Sequence, residues 1–116
     1  MRYMFLIYDQ EKKTAEMPES AQHELFQGFA AFDAEVKKAG VLVGGEALQP
    51  TATATTVRVR DGKSLKTDGP FAETKEQLGG YYILECKDLD EALSWAAKIP
   101  VAKFGSIEIR PVMKFD

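Results

Sequence analysis

The segment Arg2–Tyr8 carries large apolar side chains on both alternations, Tyr3, Phe5 and Ile7 in one set and Met4, Leu6 and Tyr8 in the other. A strand of that composition needs cover on both faces, from helices on each side or from a helix layer on one and a partner sheet on the other. Its apolar run of about six residues is too short for a signal-peptide core or a membrane span. Asp9 and Glu11 follow at once. The segment therefore reads as a buried strand, and no membrane association is expected. The expected location is the cytoplasm, where a lone reduced cysteine such as Cys86 is ordinary.

The chain of 116 residues is sized for one domain spanning 1–116. Its 45% hydrophobic and 28% charged content excludes disorder as the main state. A net charge of −3 argues against direct nucleic-acid binding, which needs a dense basic surface. Cys86 and His23 are the only two soft ligands, so neither an internal disulfide nor a structural zinc is expected. No metal and no cofactor is implied.

Downstream, Asp9 to Glu16 is polar and reads as a loop. Pro18 suits the opening of a helix. Leu25, Phe29, Phe32, Val36 and Ala39 then step by four, three, four and three, an apolar stripe that Phe26 widens. Asp33, Glu35, Lys37 and Lys38 take the other side, and Gly40 suits the left-handed position after the helix. Val41 to Ala47 reads as a strand whose Gly44-Gly45 pair marks a bulge or a close backbone approach. Thr53 to Arg60 alternates, with Arg58 and Arg60 on the polar face. Asp61-Gly62 is a type I′ hairpin signal, and Ser64 to Thr67 is the return strand. Asp68-Gly69-Pro70-Phe71 is a turn, and Ala72 to Gln77 a helical turn or irregular loop. Leu78 to Cys86 is a further strand. Asp88 and Glu91 have capping-box spacing ahead of a second helix, whose stripe is Leu89, Leu93, Ala96 and Ala97 and which Pro100 stops. Trp95 falls off that stripe. Ser106 to Val112 is the last strand.

With the hairpin set aside, two β-α-β units remain, the split pattern of a ferredoxin-like α+β sandwich. Two helices cover one face of such a sheet. The other is expected to expose residues such as Tyr3, Phe5 or Tyr82 and to pair with a second copy in a homodimer.

The run Thr67-Asp68-Gly69-Pro70-Phe71-Ala72-Glu73-Thr74-Lys75-Glu76-Gln77-Leu78-Gly79-Gly80-Tyr81-Tyr82 resembles the signature of the DGPF-domain branch of the YCII-related family. Tyr3 to Tyr8, Gly40 to Leu48, Asp90 to Leu93 and Ile107 to Val112 agree with it, so the resemblance covers essentially the whole chain. It implies a dimeric α+β barrel of ferredoxin-like protomers. It also implies two functional classes: a small-molecule-binding domain, up to a cofactor-free enzyme of unassigned reaction, or a regulatory module acting with an extracytoplasmic-function sigma factor. A His–Asp pair in a cleft underlies the enzyme proposals for YCII relatives. The family histidine falls in the Gln27 to Phe29 region, past His23, so that dyad is not transferred.

The candidate site residues are carboxylates and their neighbours. Asp68 reads either as a turn-forming acceptor, with Phe71 anchoring the turn in the core, or as a general base beside Thr67. Glu46 follows the Gly44-Gly45 pair at a strand end. Glu73, Glu76 and Gln77 lead into Gly79-Gly80, where backbone can approach a ligand. Tyr82 offers a phenol. The ligand-binding expectation is thus Thr67, Asp68, Glu73, Glu76, Gln77 and Tyr82, with Asp68 and Glu46 as catalytic candidates. His23, flanked by Gln22 and Glu24, is expected at the surface, and Cys86 as a buried structural thiol.

Overall fold

A computed structural model describes residues 1–115. Strands β1 (Arg2–Asp9), β2 (Leu42–Ala47), β5 (Gln77–Glu85) and β6 (Ser106–Pro111) form one antiparallel sheet in the order β2-β5-β1-β6. Strands β3 (Thr55–Arg60) and β4 (Lys63–Asp68) pair only with each other, as a separate two-stranded sheet. The helices are α1 (Glu11–Ala15), α2 (Glu19–Lys38) and α3 (Leu89–Ala96). With the hairpin removed, the strand order is that of a split β-α-β pair, an α+β architecture compatible with a ferredoxin-like fold. No helix among the described residues is long and apolar enough to cross a membrane.

The core lies between the sheet and the two long helices. Tyr3, Phe5 and Ile7 of β1 and Leu84 of β5 meet Phe32 and Val36 of α2 and Ala92 and Ala96 of α3, with Cys86 and Ile99 between them. This corrects the expected orientation of the sheet: Tyr3, Phe5 and Tyr82 lie on the helix-covered face. The uncovered face carries Met4, Leu6, Tyr8, Tyr81 and Ile83, all half-buried. Because both alternations of β1 are apolar, the pattern itself carries no sign of which set meets the helices.

The helices also depart from their expected stripes. Phe26 is 73% exposed at the edge of α2, and Ala39 is exposed. On α3 the buried positions are Ala92 and Ala96, while Leu89 and Leu93 are about half exposed. Trp95 packs against the core instead, edge-on to Phe32 at 6.2 Å between centroids. The small alanines let α3 approach the sheet closely, and that selects a face which side-chain size alone does not predict. The capping box forms: Glu91 N–H donates to Asp88 Oδ1 (2.9 Å) and Lys87 N–H to Glu91 Oε1 (2.8 Å).

Asp9 to Glu16 is not a loop, since residues 11–15 form α1. That short helix has no apolar stripe and is held by distant groups. Gln77 Oε1 accepts from Glu11 N–H at 3.1 Å, Thr14 Oγ1 donates to Asp9 Oδ2 at 2.6 Å, and the Glu11 carboxylate accepts from the Thr51 amide and hydroxyl. Glu11 and Gln77 thereby fasten the two ends of the segment that carries the β3–β4 hairpin. Asp61 (φ 52°) and Gly62 (φ 75°) make the left-handed two-residue turn expected there. Arg58 is half-buried and donates to Phe71 O at 3.2 Å, while Arg60 is exposed. Phe71 does not anchor its turn in the core: it is 77% exposed, and the turn is held through backbone, with Gly69 N–H donating to Ala54 O at 2.7 Å.

Candidate functional site

Leu25, Phe29, Asp33 and Lys37 follow one another at intervals of four along α2, so they form a single row beside the buried Phe32 and Val36. This row faces the β2–β5 end of the sheet across a cavity of about 510 Å³. Leu25, Phe26, Phe29, Leu42 and Val101 supply apolar wall, and Asp9, Asp33 and Tyr82 its half-buried polar groups. Such a cavity, mostly apolar with a few convergent polar groups, is the usual form of a small-molecule site.

Tyr82 and Asp33 make the central contact. The phenol donates to Asp33 Oδ1 at 2.5 Å. Burial raises the Tyr82 pKa above its ordinary value, and the Asp33 carboxylate raises it further as hydrogen-bond acceptor and as negative charge. The phenol therefore keeps its proton at any physiological pH. Its ring is fixed by Phe32, with centroids 5.0 Å apart. Gly45 stands opposite Tyr82 in the β2–β5 register, and a Cβ there would lie 2.9 Å from the tyrosine ring and 2.7 Å from the Tyr81 carbonyl. The glycine is thus what allows β2 to close on Tyr82, next to a register shift between Leu42 and Gly44.

The arrangement offers a neutral phenol held by a carboxylate, in a cleft lined by aromatic and aliphatic groups. With its one proton committed to Asp33, the phenol oxygen can accept a hydrogen bond from a ligand's polar end, and the free carboxylate oxygen of Asp33 can accept another. Among the described residues, no group of His, Cys, Asp and Glu side chains stands close enough to hold a metal ion.

Of the residues expected from sequence, Glu46 and Tyr82 border this cavity, and the Gly79-Gly80 backbone lines it. The others stand elsewhere. Thr67 and Asp68 are exposed on β4. Glu73 is exposed in the following irregular segment. Glu76 accepts from Ser106 Oγ at 2.8 Å, and Gln77 is engaged with Glu11 and with Thr74 O. His23 is exposed. Cys86 is buried, and burial, followed by the nearby Glu91 charge, pushes its thiol up to about 11. Asp33 was the residue that sequence reasoning missed. Its signal was the four-residue step that continues the Leu25–Phe29 row.

Fold and cleft together define a small α+β domain with a helix-over-sheet pocket. The chain belongs to the YCII-related family: a sequence model of the YCII-related domain matches residues 1–116. An uncharacterised protein of Rhizobium meliloti (strain 1021) is 38% identical over 114 residues, covering 97% of this chain and 92% of that protein.

Proposed function

We propose that the chain is a small-molecule-binding protein whose ligand occupies the cleft between α2 and the β2–β5 end of the sheet. The single observation that carries this reading is the Tyr82–Asp33 hydrogen bond at the wall of a largely apolar cavity. Tyr82 and Asp33 orient the ligand's polar group, Phe29 and Leu25 take its apolar body, and Glu46 is the carboxylate at the rim. Thr67, Asp68, Glu73, Glu76 and Gln77 enter the proposal as the base of the hairpin rather than as cleft residues. A fluorescence thermal-shift screen of small organic molecules, run on the wild type and on Asp33→Asn, tests it. Hits should bind Asp33→Asn at least about tenfold more weakly, the loss expected for a charge-assisted hydrogen bond. Equal binding by both proteins would refute the assignment.

The same reading includes a homodimer, sheet face against sheet face across a two-fold axis, which would complete a dimeric α+β barrel. Support comes from surface and shape. The isolated protomer exposes 8528 Å², whereas a folded monomer of 12.9 kDa exposes about 6,300 Å². Its radius of gyration is 16.2 Å, against about 13 Å for a compact chain of this length.

A further inference from the structure

We infer, resting on the cleft reading above, that the ligand of the α2 cleft is an organic cation: a protonated amine or amidine carried on an apolar body.

The hydrogen-bonding groups of the cavity are one-sided. Its half-buried polar side chains are Asp9, Asp33 and Tyr82. The two carboxylates only accept. Tyr82 has one proton to give and gives it to Asp33 Oδ1 at 2.5 Å, so its oxygen is left as an acceptor too. Asp9 Oδ2 is taken by the Thr14 hydroxyl at 2.6 Å. Asp9 Oδ1 and Asp33 Oδ2 have no hydrogen-bond partner among the described residues. Asp9 Oδ1 stands at the cavity wall beside Gly79, 3.6 Å from where a Cβ of that residue would lie. A ligand's polar end therefore meets acceptors and has to bring donors, or it leaves its own polar atoms unpaired. An ammonium or amidinium group consists of donors only.

Charge points the same way. Asp9, Asp33 and Glu46 line the cavity against one cation, Lys37, a net of −2. Glu46 and Lys37 are exposed, where water and salt screen them, so the half-buried Asp9 and Asp33 decide the sign. Among the described residues no lysine or arginine forms a salt bridge with either. The two are spread along the sheet. Tyr82, which holds Asp33, is paired with Phe5, and Asp9 lies four residues farther along β1, about 13 Å at about 3.3 Å per residue. Carboxylates spread in this way do not converge on a metal-sized point, and the cavity of about 510 Å³ has room for a carbon skeleton. Leu25 and Phe29 give that skeleton an apolar wall, and the aromatic faces of Phe29 and Tyr82 attract a cation further. A carboxylate or phosphate ligand would set its charge against Asp9 and Asp33, with the exposed Lys37 as its only lysine or arginine in the lining.

Amide chemical-shift titration of the full chain with tryptamine, tryptophol and indole-3-acetate tests the class. The three probes share an indole ring and a short arm, and end in a positive, a neutral and a negative group. Tryptamine should move the Phe29, Asp33, Gly45 and Tyr82 amides with a Kd at least about tenfold below that of tryptophol and about 100-fold below that of indole-3-acetate. Asp33→Asn keeps the shape and an acceptor for the Tyr82 hydroxyl. It should weaken tryptamine at least about tenfold and tryptophol less, so that the preference shrinks to about threefold or below. The three-probe comparison on the wild type needs no variant. Tryptophol or indole-3-acetate binding the cleft as tightly as tryptamine overturns the cation and spares the cleft. A preference for tryptamine that Asp33→Asn leaves unchanged overturns the cation's placement at Asp33 and also spares the cleft. Cleft amides that none of the three probes moves up to about 10 mM overturn the cleft reading, and the cation with it.

Discussion

Removing the Tyr82 hydroxyl tests the geometry of the cleft most quantitatively. In Tyr82→Phe the ring and its packing on Phe32 stay, and only the 2.5 Å bond to Asp33 is lost. A hydrogen bond to a charged acceptor contributes roughly 1.5–3 kcal/mol. Asp33 is half-buried at the edge of a cavity that solvent can enter, so water replaces part of that bond and the lower end, about 1.5 kcal/mol, applies. Guanidinium unfolding at one fixed protein concentration, for Tyr82→Phe, Asp33→Ala and the double variant, isolates the pair. The expected coupling is about 1–1.5 kcal/mol. The pH dependence has a defined sign. The folded state holds the Tyr82 proton more tightly than the unfolded state, whose tyrosines titrate near the ordinary value of 10. The contribution is complete below that pH and declines as pH rises above it, because the unfolded chain then loses the proton first. On the alkaline limb, wild type should thus lose its advantage over Tyr82→Phe as pH rises above about 10. A coupling below about 0.3 kcal/mol, or an advantage that instead disappears in acid near neutrality, would refute the pairing.

Three further outcomes follow from the packing. Cys86, its thiol pushed up to about 11 from an ordinary 9.0, should react with iodoacetamide at pH 8 at least about 100-fold more slowly in the native protein than in denaturant, since each unit is a tenfold loss of thiolate. Gly45→Ala should destabilise by about 1–3 kcal/mol in denaturant unfolding, because the added methyl meets the Tyr82 ring and the Tyr81 carbonyl. Asp88→Ala should cost about 1 kcal/mol by the same assay, through loss of the cap on Glu91 N–H.

The strand order was readable in the sequence because hydrophobic period and turn residues agree along most of the chain. Asp61-Gly62 and the Asp88–Glu91 box are local chemistry, and local chemistry survives in any tertiary context. What escaped were the features decided by distant partners. The short helix at Glu11–Ala15 exists through Gln77 and Thr51, far along the chain. The buried side of β1 depends on which alternation the helices meet, and both are apolar. Trp95 displaced Leu89 and Leu93 from the core because close approach at Ala92 and Ala96 set the rotation of α3. The site was half legible. Strand ends and phenol chemistry point to Tyr82 and Glu46, whereas helix periodicity sets Asp33 on the solvated face. Only the fold brings it within bonding distance of a residue 49 positions away.

The cleft under α2 is the place where this protein is proposed to meet a ligand. Amide chemical-shift mapping of the full chain against a library of small molecules that join an apolar ring to a hydrogen-bonding polar group tests it most directly. The binding members are expected to perturb Phe29, Asp33, Gly45 and Tyr82 together, and Tyr82→Phe and Asp33→Asn should each shift the response to at least about tenfold higher ligand concentration. Perturbations confined to the Asp68–Phe71 turn or to the hairpin, with the four cleft amides unmoved, would contradict it.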